Sequence, residues 1–251
     1  MITYVCYTHS DYSDIWPLVF GQIANLVKLP KIVYSNEIKN HPFDRALIYD
    51  DTKTYPQKLV DLCNEVNSKY IVLVHDNDLV MNFNNELCQD YVEEMELKQI
   101  DRLMFGILKR RENNERFVKA EKNMTSHFLT PYDVGPSIWK KDALLKAMST
   151  ELNTSYRQIE FGNIQNWVEE NLNVMGLTSD KTSTTLYSIG RPFNSEHAFC
   201  HILCQGKWLE FYTYMDYYFL LPKLLEYYKI DISKRGILYE QYHIDVNNRD
   251  V

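Results

Sequence analysis

Two aspartates, Asp76 and Asp78, stand two residues apart directly after the uninterrupted apolar run at 70–74. Such a run predicts a strand that is buried on both faces, as in a parallel sheet. Carboxylates at the end of such a strand lose hydration and repel each other, so a counter-charge is expected beside them. A Mg²⁺ or Mn²⁺ ion binds carboxylate oxygens together with substrate phosphates. The spacing predicts a divalent metal site, with turn hydrogen bonds of Asp and Asn as the alternative.

A second polar cluster follows the first apolar run of the chain. Residues Ile2–Tyr7 are rich in β-branched and aromatic side chains, which predicts a strand, and the loop THSDYSD comes next. In open sheets of parallel strands, ligands bind outside the carboxyl ends of the strands. The edge that carries the two aspartates should therefore also carry the first-loop residues Thr8, His9, Ser10 and Asp11.

Short apolar runs alternate with helical patterns through the first half of the chain. Strands are predicted at Ile2–Tyr7, Lys31–Ser35, 45–49, 70–74 and 103–108. Helices are predicted at 15–27, at 85–100 and around the apolar face of Leu59, Leu62, Cys63 and Val66. This alternation indicates βαβ units and therefore an α/β fold with a mostly parallel sheet. The second half is less regular, with helices predicted at 140–148 and 163–174 and a strand candidate at 184–189.

The composition of the 251 residues is that of a globular protein, with 45% hydrophobic and 24% charged residues. The net charge of -7 argues against a nucleic-acid partner, which needs a basic surface. It allows a nucleotide ligand, because a bound metal can supply positive charge. No run approaches the roughly 20 apolar residues that span a bilayer, and no signal-peptide pattern is present. Five cysteines without a dense framework indicate a reducing compartment, so a soluble, cytoplasmic protein is predicted.

Several segments resemble one enzyme family. The D-x-D of Asp76 and Asp78 after an apolar strand resembles the metal-binding motif of nucleotide-sugar glycosyltransferases with the GT-A fold. The opening YTHSDYSDIW, the segment GPSIWKKDALL followed by IEFGN, and the late GKW are similar to segments of a small subgroup that builds surface polysaccharides and glycans. These matches span residues 2–208. The chain departs from the family pattern at His75, where an acidic residue is frequent, and at Tyr156, near a frequent tryptophan.

The resemblance implies a GT-A-like α/β fold, with a mostly parallel central sheet flanked by helices. The sequence pattern adds an irregular second half, which the resemblance assigns to the acceptor, and a helical, tyrosine-rich C-terminal segment. We predict a single domain over residues 1–251. Within it, residues 1–110 would form the nucleotide-sugar-binding half, 111–208 the acceptor-side half and 209–251 the C-terminal helical extension.

The resemblance also implies a sugar transfer that needs a general base if it inverts the anomeric carbon. One positioned carboxylate can deprotonate the acceptor hydroxyl, and Glu160 in IEFGN is the first candidate. The alternative is an ordinary acidic residue near a helix start, where the helix dipole favours carboxylates. Asp133 and Asp142 compete for the role, although Asp142 fits a solvated helix turn.

The remaining site residues are candidates for donor and metal contacts. The resemblance assigns the first loop to the base and ribose, where Asp11 is able to accept hydrogen bonds from ribose hydroxyls. Lys58 could reach the nucleotide or a phosphate, although a solvated surface lysine is an equal alternative, and Arg191 in the IGRPF turn could neutralise the diphosphate as it leaves. His201 is the candidate for a third metal ligand, and it would share a face with His197 if 195–203 were helical.

The predicted partners are a nucleotide-sugar donor, with UDP-sugars favoured by the resemblance, and a glycan or lipid-linked saccharide acceptor. A sugar nucleotidyltransferase is the first alternative, but THSDYSD lacks the glycine-rich basic loop such enzymes carry. An inactive glycan-binding or assembly module is the second. The tyrosine-rich stretch after Trp208 predicts an aromatic helix packed on the domain or on a second subunit in a homodimer. Peripheral contact with a membrane surface is the other interpretation of that stretch.

Overall fold

An eight-stranded sheet with helices on both faces organises the computed structural model, which describes residues 1–110, 116–120, 132–160, 162–179, 197–209 and 220–238. Its described strands are β1 (Ile2–Tyr7), β2 (Lys31–Ser35), β3 (Arg45–Ile48), β4 (Tyr70–His75), β5 (Asp78–Phe83), β6 (Arg102–Arg110), β7 (Phe117–Lys119), β8 (Ser137–Lys140), β9 (Val174–Ser179), β10 (His197–His201), β11 (Leu203–Cys204), β12 (Lys207–Leu209) and β13 (Ile237–Leu238). The helices are α1 (Trp16–Leu26), α2 (Tyr55–Glu65), α3 (Asn85–Leu97), α4 (Lys141–Ser149), α5 (Asn163–Asn171) and α6 (Leu221–Tyr227).

The large sheet has the strand order β3-β2-β1-β4-β8-β6-β9-β7. Strands β3, β2, β1 and β4 are parallel neighbours, so their carboxyl ends share one edge. Strand β8 runs antiparallel between β4 and β6, while β9 is parallel to β6 and β7 antiparallel to β9. The predicted α/β fold with a mostly parallel, helix-flanked sheet is confirmed.

Side chains of successive residues in the central strands enter two different cores. Val72 and Val74 of β4 belong to the core under α1 and α3, whereas Ile71 and Leu73 pack in the core under α2, α4 and α5. This alternation follows from the two-residue period of a strand. It requires apolar residues at every position of a strand covered on both sides, which is the pattern that the sequence shows at 70–74.

Helix α2 begins where its sequence contains a strong start signal. The Thr54 hydroxyl accepts a hydrogen bond from the Gln57 backbone N–H, and the Gln57 side chain accepts one from the Thr54 N–H. This reciprocal capping satisfies two donors that a helix start leaves unpaired. It also fixes Lys58 in the first turns of α2, on the side where β3 and β4 end.

Residues 195–203 do not form the helix that would place His197 and His201 on one face, because 197–201 form strand β10, which pairs with β5, and Leu203 belongs to β11. Strand β5, which begins at the second aspartate of the D-x-D segment, is not among the predicted strands. The helix predicted at 140–148 begins one residue later, because Lys140 ends strand β8. Pairing with neighbours decided these segments, since short apolar runs suit either structure.

The C-terminal extension packs on the first half of its own chain. Leu221 and Leu225 of α6 are buried in the core under α1, and the Tyr228 hydroxyl accepts a hydrogen bond from Asn25 at 3.1 Å. The described extension also contains strand β13, which pairs with β12. None of the described helices is long and apolar enough to cross a membrane. The strand candidate at 184–189 lies outside the described residues, and contact with a second subunit stays a prediction.

Candidate functional site

The carboxyl ends of β1, β2, β3 and β4 carry a polar network that we call the strand-end edge. Thr8 directly follows β1 and Asp76 directly follows the neighbouring strand β4. The Thr8 hydroxyl donates a hydrogen bond to the Asp76 carboxylate. The Asn36 side chain, just after β2, accepts a hydrogen bond from the Ser10 N–H at 2.8 Å and donates one to the Ser10 hydroxyl at 2.9 Å. The edge therefore brings together the first loop and the D-x-D segment, as the strand order requires.

Asp76 is 7% exposed, and its carboxylate accepts hydrogen bonds from the Thr8 hydroxyl and the His9 N–H. The Trp16 indole N–H donates to the Thr8 hydroxyl at 2.7 Å and so orients it. Burial, supported by the negative charge of Asp78, raises the pKa of Asp76 to about 7 despite these hydrogen bonds. The hydrogen bonds and the positive charge of Arg235 thus offset only part of the effect of burial on Asp76.

Asp78 and His201 are brought together by the pairing of β5 with β10. They are register partners, and the His201 Nδ1 lies 3.1 Å from the Asp78 Oδ1. His197 lies at the other end of the same ladder, opposite Phe83, and it is only 1% exposed. Burial lowers the pKa of His197 to about 3. Because the two histidines lie at opposite ends of one strand rather than on one face of a helix, His201 contacts Asp78 and His197 lies among aromatic rings.

Asp78 with His201, and Asp76 beside Thr8, supply carboxylate and imidazole groups of the types that bind divalent ions. Mg²⁺ is commonly held by one or two protein carboxylates together with waters and substrate phosphates. Over the described ranges, no group of three or more His, Cys, Asp and Glu side chains is arranged as a preformed metal site. A metal site at this edge would therefore need further oxygen ligands from a bound substrate.

A second charged group faces the first loop from β3 and α2. The Asp51 carboxylate lies 2.9 Å from the Lys58 Nζ and 3.1 Å from the His9 Nε2. The bonds from Lys58 and then from His9 lower the pKa of Asp51. Lys58 is 8% exposed and lies over the Tyr49 ring, with its Nζ 4.3 Å from the ring centroid. The structure therefore places Lys58 beside the predicted nucleoside loop.

Aromatic side chains lie beneath the strand-end edge. The Tyr7 ring stacks on Tyr49 at 5.4 Å between centroids and contacts His75 at 5.2 Å. The His75 Nε2 lies 2.8 Å from the Tyr55 hydroxyl, and the ring of the half-exposed Tyr156 contacts Tyr55 at 5.0 Å. His75 thus stands where an acidic residue is frequent in the resembled family, and it is part of this aromatic cluster.

Glu160 and Asp133 lie in a region built from loops. The Glu160 carboxylate accepts a hydrogen bond from the Val134 N–H at 2.7 Å. The Asp133 carboxylate accepts bonds from Arg102 at 2.7 Å and from the Gly135 N–H at 3.1 Å. Arg102 is fully buried, so Asp133 supplies a counter-charge inside the fold. Asp142 is exposed in the first turn of α4, as the sequence predicts.

Tyr156 connects the two groups of carboxylates. Burial around its hydroxyl, then the charges of Glu160, Asp78 and Asp76, raise the pKa of Tyr156. The negative charges of all three carboxylates therefore act on the Tyr156 hydroxyl, although Glu160 is far along the chain from the D-x-D segment.

Three contributors to the edge were missed by the sequence analysis. Asn36 and Asp51 follow β2 and β3, so the strand-end rule that selected Thr8 could have selected them as well. Arg235 comes from the far end of the chain and has no local signal. Its guanidinium donates two hydrogen bonds to Asp14, one of them at 2.8 Å, and one to the Asp11 carbonyl at 2.6 Å.

Asp11 and Arg191 complete the predicted set. The Asp11 side chain is 82% exposed, its N–H donates to the His9 Nδ1 at 3.1 Å, and its carboxylate lies 3.3 Å from the same ring nitrogen. It is therefore open to a ligand at the rim of the first loop. Arg191 lies outside the described residues, so its predicted contact with a diphosphate stays a prediction.

Comparisons with known proteins give likenesses of structure only. No family model and no curated protein matches the sequence. The chain is similar to residues 1–349 of S. aureus TarS in complex with UDP-GlcNAc, with 12% identity, a TM-score of 0.47 and coverage of 72% of this chain and 56% of that one. It is also similar to a cytidylyltransferase from Leptospira borgpetersenii, with 11% identity, a TM-score of 0.46 and coverage of 72% of this chain and 77% of that one. A third similar structure is CMP:2-keto-3-deoxy-manno-octonic acid synthetase complexed with CTP, with 8% identity, a TM-score of 0.45 and coverage of 70% of this chain and 89% of that one. The match thus spans little more than half of the TarS chain.

Proposed function

We propose that the chain is a metal-dependent glycosyltransferase, built as one domain, that moves a sugar from a nucleotide-sugar donor to a glycan or lipid-linked saccharide. A UDP-sugar is the favoured donor. The observation that carries the proposal is the pair of buried carboxylates, Asp76 and Asp78, at the edge where four parallel strands end. Such an edge is where open α/β sheets bind ligands.

The candidate metal ligands are Asp78, His201 and Asp76. A bound Mg²⁺ or Mn²⁺ would neutralise charge on the donor diphosphate. The raised pKa of Asp76 supports this assignment, because a neighbouring cation favours the ionised carboxylate that burial disfavours. The Thr8 hydroxyl and the Trp16 indole hold the Asp76 carboxylate in one orientation before any donor arrives.

The first loop would bind the nucleoside of the donor. The exposed carboxylate of Asp11 can accept hydrogen bonds from ribose hydroxyls or a base N–H, and His9 and Ser10 line the same turn. Lys58, held by Asp51 beside His9, adds a positive charge near this turn. Arg191 would approach the diphosphate on the acceptor side.

Glu160 is the proposed general base of an inverting transfer. It would take the proton of the acceptor hydroxyl while the oxygen attacks the anomeric carbon. The bond between that carbon and the diphosphate oxygen breaks, and the nucleoside diphosphate leaves with the bonding electrons. Asp133 suits this role less well, because its carboxylate is already bound to Arg102 and the Gly135 N–H.

Calorimetry of donor binding tests the proposal. We expect the parent chain to bind a UDP-sugar more tightly with saturating Mn²⁺ than without it, and Asp78→Asn to lose that dependence. Asp90→Asn, an exposed aspartate of α3, is the matched control and should behave as the parent. Equal affinity of Asp78→Asn and the parent in saturating Mn²⁺ would contradict the metal assignment.

The released product separates the proposal from its two rivals. A glycosyltransferase supplied with donor and Mn²⁺ releases the nucleoside diphosphate, by transfer to an acceptor or by slow hydrolysis. A sugar nucleotidyltransferase instead releases pyrophosphate from a nucleoside triphosphate and a sugar phosphate. An inactive glycan-binding module releases neither. Detection of pyrophosphate, or binding without any turnover of a panel of donors, would overturn the proposal.

A further inference from the structure

Arg235 joins three segments that are far apart in sequence. Besides its bonds to Asp14 and to the Asp11 carbonyl, its guanidinium donates to the Gly206 carbonyl at 3.3 Å. The guanidinium carbon also lies 4.7 Å from the centroid of the Tyr12 ring. Its side chain is only 13% exposed. The hydrogen bonds of the Arg235 guanidinium thus go to the first loop and to the turn between β11 and β12.

The first half of the first loop is held from the strand ends, where Thr8 bonds to Asp76 and Ser10 to Asn36, whereas the second half, from Asp11 to Asp14, meets Arg235. A single turn of 3₁₀-helix, Ser10–Tyr12, is closed by bonds from the Tyr12 N–H to the His9 carbonyl and from the Ser13 N–H to the Ser10 carbonyl. Such short turns have poor hydrogen-bond geometry and depend on surrounding contacts. The bidentate pair of Arg235 with Asp14 and its contact with Tyr12 supply those contacts.

The backbone on both sides of this arginine contact is shaped by glycine. Gly206, whose carbonyl accepts from Arg235, has a φ of 76°, and Gly236, the next residue after Arg235, has a φ of 68°. Both values lie in the left-handed region that glycine adopts without strain. The adjoining residues Lys207 to Leu209 and Ile237–Leu238 then form the pair β12–β13. Arg235 therefore lies two residues before a strand that is paired with β12.

We propose that Arg235 is a positioning residue that holds the first loop in the conformation that receives the donor nucleoside. This inference rests on the proposed function, because it assumes that the loop around Asp11 contacts the donor. The C-terminal segment around Arg235 would then stabilise the donor-binding conformation of the first loop.

Reciprocity gives the inference a second consequence. If docking of the Arg235 segment strengthens nucleotide binding, then nucleotide binding must strengthen docking of that segment by the same factor. The amides of Tyr12 and Ser13 in the loop and of Trp208 at β12 should consequently exchange more slowly when nucleotide is bound. If Arg235 only stabilised the fold as a whole, nucleotide binding would not slow exchange at these two segments more than elsewhere in the chain.

The experiment compares four chains by calorimetry with UDP and Mn²⁺: the parent, Arg235→Ala, Arg235→Lys and Arg45→Ala. Arg45 is the matched control, because it forms an exposed pair with Glu65 at the opposite end of the sheet. Arg235→Ala should weaken UDP binding by about 5- to 150-fold, the usual range for coupled sites. Arg235→Lys should lie between Arg235→Ala and the parent, since lysine keeps the charge and loses the bidentate fork. Arg45→Ala should match the parent.

Chemical rescue separates positioning from a loss of folding. Millimolar guanidinium chloride should restore part of the UDP affinity of Arg235→Ala, whereas an equal concentration of NaCl should not. Hydrogen exchange of apo Arg235→Ala should show faster exchange at Tyr12 and Ser13 but not in α3. If Arg235→Ala does not fold, Arg235→Lys provides the same comparison with Arg45→Ala.

The outcomes distinguish the inference from the proposed function. If the parent does not bind UDP, the proposed function fails, and the exchange rates of the apo chains still decide whether Arg235 holds the loop. If the parent binds UDP and Arg235→Ala binds equally well, the inference alone is overturned. Weaker binding without rescue, together with faster exchange throughout the chain, would also overturn it.

Discussion

The strand-end edge and the loop region at 132–160 both contain candidate catalytic carboxylates, but they are built in different ways. At the edge, Thr8 and Asp76 meet because β1 and β4 are parallel neighbours, so the strand order alone brings them together. In the loop region, Asp133 is placed by a buried partner, Arg102, and Glu160 by the Val134 N–H. The comparison teaches that the position of an aspartate after a buried strand can be predicted from sequence, whereas the position of an aspartate in a loop cannot.

The largest expected effect concerns the loop region and its proposed base. Glu160→Gln keeps an oxygen that can accept the Val134 N–H, so the loop should keep its shape and the donor dissociation constant should be preserved. Because a positioned general base contributes about 10²–10⁴-fold to rate, kcat should fall by about that factor. Steady-state kinetics with donor and acceptor measures this change.

Glu170→Gln, an exposed glutamate of α5, is the control and should leave kcat unchanged. A fall of less than about 10-fold in Glu160→Gln, well below the usual contribution of a general base, would indicate a retaining mechanism or another base. Loss of donor binding together with activity would mean that Glu160 supports the fold or the metal site. Either result would break the assignment of catalysis to the loop region.

The second effect is on stability and asks whether Asp133 is structural. Asp133→Ala removes the carboxylate that lies 2.7 Å from the fully buried Arg102, and breaking a buried ion pair costs about 3–5 kcal/mol in free energy of unfolding. Urea denaturation measures it. Asp142→Ala is the control, since an exposed carboxylate at a helix start contributes only about 0.3–1 kcal/mol. A cost below about 1 kcal/mol for Asp133→Ala would return Asp133 to the list of candidate bases.

The fold was largely predictable because the central strands and helices carry strong periodic patterns. The predicted strands at Ile2–Tyr7 and Lys31–Ser35 have the observed bounds, and the buried run at 70–74 is strand β4 with one further residue. Strand β10 was not predictable, because its strand form depends on pairing with β5. Local patterns determine elements that are apolar over a full period, and tertiary pairing determines the short ones.

The site was predictable only where it follows this sheet. The strand-end rule selected Thr8 and Asp76, and it would have selected Asp51 had it been applied to β3. Arg235 gave no such signal, because it reaches Asp14 from a distance of 221 residues along the chain. Long-range ion pairs of this kind depend on the packing of the C-terminal segment, which the local sequence does not encode.

The third effect concerns His197, which the sequence pairs with His201 and the structure separates from it. Burial lowers the pKa of His197 to about 3, below the value of about 6.5 for histidine in an unfolded chain. As the pH falls through 6.5, the unfolded chain therefore binds the proton first, and stability is lost down to about pH 3. The loss is about 1.4 kcal/mol per pH unit, or about 2 kcal/mol at pH 5.

Urea denaturation at pH 8 and pH 5 checks this dependence. His197→Phe removes the titrating group within its aromatic surroundings of Phe83, Tyr91 and Phe105, so it should lose about 2 kcal/mol less than the parent between the two pH values. Tyr91→Phe keeps the histidine and should keep the parental dependence. An unchanged dependence in His197→Phe would mean that His197 is not buried in neutral form.

The smallest effect tests whether the stability of α1 follows the helix propensity of its own residues or its packing against the C-terminal segment. Helix propensity alone predicts that Gly21→Ala in α1 stabilises the fold by up to about 1 kcal/mol. The structure predicts the opposite sign, because a Cβ at Gly21 would overlap the Tyr228 ring, which is itself bound to Asn25. We expect a loss of about 1 kcal/mol, measured by urea denaturation, as the ring is displaced from α1. In a Tyr228→Ala background the same substitution should be neutral or stabilising, so the two changes should be coupled by about 0.5–3 kcal/mol. Stabilisation by Gly21→Ala in the parent would show that α1 follows its local propensity and that the C-terminal segment does not constrain it.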